Sequence, residues 1–249
     1  MSGVGAALLI VTAFLTATLS GIFGMAGGLV LMGVLALILP VSAAFVTHGI
    51  LQLVANGWRA ILHRQHLQWS IISYYALASA VAAALVLALA FVPSKPVLFF
   101  MLWLVTLLVW LPKSWLQLDA ARPPHALISG LLVTGLNLSA GVAGPLLDIF
   151  FVRTALTRHQ IVATKAATQV FSHMAKIAVY GAPLALAGAR DMPSLLLFGL
   201  AIPLSMLGTV AGGRVLDRMN DVDFKRYTAW IVTVIGIVYL VKAIQLWIQ

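Results

Sequence analysis

Residues 4–39 read VGAALLIVTAFLTATLSGIFGMAGGLVLMGVLALIL, with no Lys, Arg, Asp, Glu or His among them. That run outlasts the roughly 20 apolar residues that cross a hydrocarbon core. Its one interruption is Gly24-Met25-Ala26-Gly27-Gly28, which divides it into apolar segments at 4–22 and 27–39. The second is short for a full crossing. Further along, the first Lys, Arg, Asp or Glu is Arg59, and stretches free of these residues recur at 65–94, 123–147 and 192–213. Backbone in lipid has to satisfy its own hydrogen bonds, and the sequence lacks the alternation of a barrel strand. The spans are therefore helices, and the chain is an all-α integral membrane protein.

Composition agrees. The chain is 62% hydrophobic and 8% charged, against about 25% charged in ordinary soluble domains. Too little polar surface is available to cover a soluble core. The net charge is +9 with no Glu, but the bases stand singly between apolar spans. They suit juxtamembrane topology signals and exclude nucleic acid as the expected partner. The chain has no Cys, which removes disulfides, thiolate metal sites and Cys nucleophiles. Met1-Ser2-Gly3 has no basic n-region, so the first span is expected to persist in the mature protein.

Apolar segments fall at 4–22, 27–39, 43–62, 70–92, 96–111, 125–151, 158–182, 193–213 and 226–247. With some short or broken, they predict about eight transmembrane helices. Pro112, Lys113, Asp119, Arg122, Pro123 and Pro124 form a polar linker, 112–124, between a first half at 1–111 and a second at 125–249. Shifted by 117 residues, Gly24 falls on Gly141, Ala26 on Ala143, Gly27 on Gly144, Thr47 on Thr164 and Gln52 on Gln169. Internal repeats of this kind accompany transporter folds whose site lies at the repeat interface. Counting eight spans groups Lys95, Arg153, Arg158, Arg214, Arg218, Lys225 and Arg226 on one side, and Arg64, Lys113, Arg122 and Arg190 on the other. The positive-inside rule then puts both termini outside the cytoplasm. Trp103, Trp110, Trp115, Trp230 and Trp247 read as interfacial anchors.

Polar residues are rare enough in these spans to be informative. His48, Gln52, Asn56, Arg59 and His63 follow one another at helical spacing and share one face. The offset partners of this stripe are Lys165, Gln169, His173, Lys176 and Tyr180. A charge in a membrane helix costs about 2.5–3.5 kcal/mol on insertion scales, so a stripe kept twice points to water or a polar ligand. Arg59, Lys165 and Lys176 make it basic, which suits an anion, and Arg offers a bidentate fork to an oxyanion. A second reading stands beside this one, in which the bases snorkel to headgroups and the amides join helices. The glycines of the breaks, Gly24, Gly27 and Gly28 with Gly141 and Gly144, either free backbone N–H groups into an anion cradle or let helices pack closely. Asp148, the one acid within an apolar segment, either pairs with a cation such as Lys165 or carries a coupling proton.

The run Gly21-Ile22-Phe23-Gly24-Met25-Ala26-Gly27-Gly28, the following Pro40 and Ala-Thr-Lys-Ala-Ala-Thr at 163–168 resemble the TauE/SafE family of sulfite exporters. The resemblance covers essentially the whole chain. It implies a secondary transporter, an exporter, of small sulfur-containing oxyanions such as sulfite or organosulfonates like sulfoacetate, in a bacterial inner membrane. Two departures are visible. Pro145 stands where the repeat would put a partner for Gly28, and the cysteines of a related thiosulfate-uptake branch are missing. The expected partners are a small anionic substrate and membrane lipid, with a homodimer left open; no cofactor or metal is expected. The competing classes are a non-transporting assembly protein and a membrane-embedded enzyme. The enzyme would need paired acids or metal ligands, which spans with a single Asp do not supply.

Overall fold

The computed structural model of the chain describes residues 3–24, 26–112, 118–219 and 221–249, without the side chains of 221–225. Met25, Lys113 and Trp115 lie outside the described residues, as do the side chains of Asp221, Asp223 and Lys225. The described residues form ten α-helices and no strand. They are α1 (Gly3–Phe23), α2 (Ala26–Ile38), α3 (Val41–Leu62), α4 (Trp69–Leu89), α5 (Lys95–Leu107), α6 (Pro123–Ala140), α7 (Gly144–Phe151), α8 (Arg158–Leu186), α9 (Leu195–Leu216) and α10 (Asp221–Ile248).

Four helices are both long and apolar enough to cross a membrane: α1, α4, α9 and the Arg226–Ile248 part of α10. This criterion does not reach the eight expected segments. The 22-residue α3 and 29-residue α8 have the length, but the polar stripes lower their hydropathy. The 13-residue α2 and 8-residue α7 extend only about 20 Å and 12 Å at 1.5 Å per residue, well short of a crossing of about 30 Å. The outside of the bundle is apolar. Leu77, Val81 and Leu85 on α4, and Val234, Ile237, Val238, Val241 and Ile244 on α10, are all exposed, which is the lipid-facing pattern of a multi-pass membrane protein.

The apolar stretch 125–151 does not run as one helix. Gly141 adopts φ +81° at the end of α6, and three residues on, the chain restarts as α7 with Pro145 in its first turn. Its offset partner Gly24 adopts φ +69° between α1 and α2. Both positions are left-handed, where glycine carries no Cβ penalty. Chain reversal follows in the first case: Gly27 of α2 lies against the backbone of Thr16 and Ser20, so α1 and α2 form an antiparallel hairpin.

Loop contacts define two faces of the bundle. On one, His63 and His66 at the end of α3 stack near His159 at the start of α8, with ring centroids 6.2 and 5.2 Å apart. There too the Gln68 N–H donates to Thr164 Oγ1 at 3.1 Å, and the Ala120 N–H to the Phe150 carbonyl at 2.8 Å. On the other face the Tyr180 hydroxyl donates to the carbonyls of Leu138 at 2.6 Å and Phe91 at 3.2 Å. This arrangement corrects the charge grouping expected from the sequence. Arg64 and Arg122 join Arg153, Arg158, Arg214, Arg218 and Arg226 at the first face, while Lys95 joins Arg190 at the second. The miscount came from taking 4–39 and 125–151 as one crossing each, whereas α2 and α7 turn each stretch back towards the face it came from.

Packing follows the 117-residue offset. The pairs α1–α9 and α4–α6 pack most extensively within their neighbourhoods, as do α3–α8 and α5–α10. Taking α1–α5 onto α6–α10 in order exchanges the first two pairs and returns the last two to themselves. Gly21 lies against Gly212, and Gly208 against the backbone of Phe14 and Thr18, so α1 runs parallel to α9 and towards the first face. Gly130 lies against Tyr75 and Ala78 and, four residues on, Thr134 bonds Ser79, so α6 runs parallel to α4 and away from that face. The two sequence repeats are thus inverted in the membrane, because each holds a returning hairpin and three further helices.

The α1–α9 seam depends on missing side chains. A Cβ at Gly212 would sit 2.7 Å from the Gly21 Cα, whereas one at Gly199 meets nothing within 4 Å. Gly212→Ala is therefore expected to destabilise the protein by about 1–3 kcal/mol through overpacking. Gly199→Ala should be neutral or slightly stabilising on helix propensity. Thermal unfolding of both variants in detergent checks the contrast; equal melting temperatures would remove the seam as a stability determinant.

Candidate functional site

A cavity of about 700 Å³ opens among the ends of α1, α5, α7, α8 and α9 at the first face and reaches inward between α3 and α8. Leu111, Pro112, Arg153, Arg158, Leu216 and Met219 line its outer part; Gly28, His48 and His173 line its inner end. The repeat builds this wall twice. Gln52, Asn56 and Arg59 come from α3, and Lys165, Gln169 and His173 from α8, with Gly24, Gly144 and Asp148 beside them. Helices α3 and α8 pack face to face, Gly49 lying against the His173 carbonyl and Ile177. Their polar stripes are thereby brought into one pocket.

Lys176, Gly27 and Gly141 are not among the lining residues, and each has another place. Lys176 is fully buried. Its Nζ donates to the Gly141 carbonyl and, at 3.3 Å, approaches His48 Nδ1. His48 Nε2 in turn lies 3.0 Å from the Gly28 carbonyl. With Nδ1 accepting from Lys176, His48 carries its proton on Nε2 and donates it to Gly28. A continuous chain of polar contacts thus joins the two helix breaks, from Gly28 through His48 and Lys176 to Gly141. The Gly141 carbonyl sits where α6 ends, so it has no intrahelical acceptor role, and Lys176 supplies the donor that lipid cannot. Gly27 serves close packing, as its contact with Thr16 and Ser20 shows.

Arg59 stands on the inner cavity wall, with Arg153 and Arg158 nearer the mouth. The Arg59 Nη2 is buried and has no hydrogen-bond partner. An unpaired guanidinium N–H in a closed site is costly unless something accepts from it. Asn56 is turned back on its own helix, its Nδ2 donating to the Gln52 carbonyl at 3.0 Å. Lys165 forms an ion pair with Asp148, which cancels most of the charge of both at the wall. The first turns of α2 and α7, at Gly28 and Gly144, border the same space, so helix N-termini add positive potential there. Outside the spans, His63 has its pKa lowered, by burial first and then by His159, His66 and Arg59, against a smaller raising effect of Asp217. It adds little charge to the mouth at neutral pH.

Two lining residues escape a reading of the stripes alone. Ser20 and Asn137 both face the cavity, and both hold a buried side-chain oxygen without a partner. They are offset partners of one another, four residues before Gly24 and Gly141. Extending the repeat register upstream of the glycines would have found them. Elsewhere, hydroxyls serve as structural glue: Tyr75, Ser172, Thr134 and Ser79 form a chain with steps of 2.7, 2.7 and 2.8 Å across α4, α6 and α8.

Among the described residues, no group of three or more His, Asp or Glu is arranged to hold a metal. No curated protein and no solved structure matches the chain. Residues 9–239 match the family described as "Sulfite exporter TauE/SafE". That match spans nearly the whole chain and agrees with its helical, lipid-facing architecture, so the protein belongs to the TauE/SafE family of membrane transporters of sulfite-type anions.

Proposed function

We propose that the protein exports a small sulfur oxyanion, sulfite or an organosulfonate such as sulfoacetate, by alternating access, and that Arg59 is its principal anion ligand. The single observation carrying this reading is the buried, unpartnered Nη2 of Arg59 on a cavity wall whose lining acid, Asp148, is already paired with Lys165. A sulfonate or sulfite oxygen would satisfy that nitrogen, and its other oxygens would accept from Gln52, Gln169 or the freed N–H groups of the helix breaks. Alternating access is supported by the inverted packing of the two halves about α3 and α8, and by a cavity open towards one face only. Lys176 is read here as the tie between the two breaks, acting on the anion only indirectly.

The first face carries Arg64, Arg122, Arg153, Arg158, Arg214, Arg218 and Arg226, against Lys95 and Arg190 at the second. By the positive-inside rule the first face is cytoplasmic, both termini lie outside the cytoplasm, and the cavity is open inward. An inward-open cavity suits a carrier that loads its anion from the cytoplasm.

Three outcomes follow. Arg59→Ala should weaken sulfite or sulfoacetate binding about 10- to 100-fold, the equivalent of one charged hydrogen-bonded contact, with Arg59→Lys restoring only part of it. Thermal-shift titration and proteoliposome flux read this, and wild-type affinity in Arg59→Ala would remove the assignment. Asp148→Asn, which leaves Lys165 uncompensated at the wall, should tighten anion binding several-fold at low salt, with the gain fading as salt is raised; weaker binding at low salt would contradict this electrostatic account. Because the native chain has no Cys, single cysteines report topology without background. Arg190→Cys should react with an impermeant maleimide on intact cells and Gln65→Cys only on inverted vesicles; the opposite pattern would reverse the orientation.

A further inference from the structure

The two histidines of the polar stripes lie together, ring centroids 5.7 Å apart, yet they differ in one respect. His48 has both nitrogens engaged, Nδ1 with Lys176 and Nε2 with the Gly28 carbonyl. His173 is 2% exposed, lines the cavity, and has neither ring nitrogen in a hydrogen bond. Protonating His48 at Nδ1 would cost it the bond from Lys176 and disturb the tie between the helix breaks. Protonating His173 breaks nothing. An imidazole that keeps two unsatisfied nitrogens at the end of an anion cavity is poised to accept a proton when negative charge arrives.

We infer that His173 is the binding site of a coupling proton, taken up together with the anion held at Arg59. This rests on the proposed anion-transport reading and names what is coupled to it. The proton comes from water in the cavity, bonds to a free ring nitrogen of His173, and leaves by the same bond when the cavity opens to the other face. One proton carried with a monoanion moves no net charge, and with the sulfoacetate dianion one net negative charge.

The surrounding groups favour this division of labour. Facing His173 are His48 and Arg59 from α3, Lys176 and the Lys165–Asp148 pair from α8 and α7, Asn137 from α6, and Tyr75 from α4 through Ser172. Lys176 opposes a charged imidazole while the cavity holds no anion. A bound anion offsets that repulsion. Proton and anion therefore bind with mutual help, which is the thermodynamic requirement for coupling. Neither the Asp148 carboxylate, held by Lys165, nor His48, held on both sides, can change protonation without losing an existing contact.

Calorimetric titration of the purified protein with sulfoacetate, in two buffers of different ionisation heat, counts protons taken up per anion bound. Wild type should take up a proton, and its affinity should fall by up to about tenfold per pH unit on the alkaline side. In His173→Gln the proton count should vanish and the affinity should become flat with pH. A merely structural His173 would instead weaken binding equally at every pH and leave the count unchanged, which overturns the proposal. The joint variant His63→Gln, His66→Gln, His159→Gln at the mouth should keep the count; its loss there would assign the proton to the mouth and sink the inference. In proteoliposomes with a trapped pH dye, an outward sulfoacetate gradient should move protons with wild type; anion flux without proton movement also refutes coupling. Failure of the parent reading looks different, as wild type would then show neither sulfoacetate binding nor flux at any pH.

Discussion

Within a bilayer, a helix that stops halfway leaves carbonyl and N–H groups that no water can reach. This protein interrupts itself twice, at Gly24 and Gly141, and the second interruption is held by Lys176, whose Nζ donates to the Gly141 carbonyl. The same nitrogen meets His48, which reaches the Gly28 carbonyl. One buried lysine and one buried histidine thus couple the two hairpins that meet at the centre of the bundle. The end of α6 is secured in a kindred way: Tyr180 donates to the Leu138 carbonyl in its last turn. Remove these donors and the broken helices lose the partners that make their breaks tolerable.

That tie also partitions the polar stripes. The inner members, His48 and Lys176, are consumed by backbone carbonyls. The outer members are left for the cavity, and of these Lys165 is neutralised by Asp148 while Asn56 bonds its own helix. Among the described stripe residues, Arg59 and His173 keep buried nitrogens without a partner, and Gln169 also faces the cavity, while the Gln52 oxygen accepts from Asn56 at 3.4 Å. The cavity thus gathers, among the described residues, a guanidinium nitrogen and an imidazole without hydrogen-bond partners.

Much of this was legible in particular residues. The +4, +4, +3, +4 steps from His48 to His63 place a polar face on α3 whatever the fold, and the 117-residue offset transfers that face to α8. The offset also aligned Gly24 with Gly141, which share a left-handed backbone. Other features were not legible for stated reasons. The stripe gives the direction of each side chain around its helix axis, but not its depth, so Lys176 and Arg59 looked equivalent when one lies beneath the cavity and the other on its wall. The short helices α2 and α7 were not read as returns, so each hairpin counted as a single crossing and Lys95 was placed with the wrong charges. Ser20 and Asn137 carry no charge and sit among apolar neighbours, so only their repeat relation marks them.

The amino-acid sequence by itself determined the solvent of this protein and its internal symmetry. Long uncharged segments admit no environment but lipid, and a repeated pattern of glycine and amide positions imposes two equivalent halves because hydropathy and backbone freedom are local properties of the chain. Which polar groups are spent and which are left over was decided only by the tertiary structure. That depends on distances between helices far apart in sequence, as in Lys176 meeting Gly141 and His48 while Arg59 Nη2 and the His173 ring nitrogens find no hydrogen-bond partner, and a hydrogen bond exists only where packing brings donor and acceptor within about 3 Å.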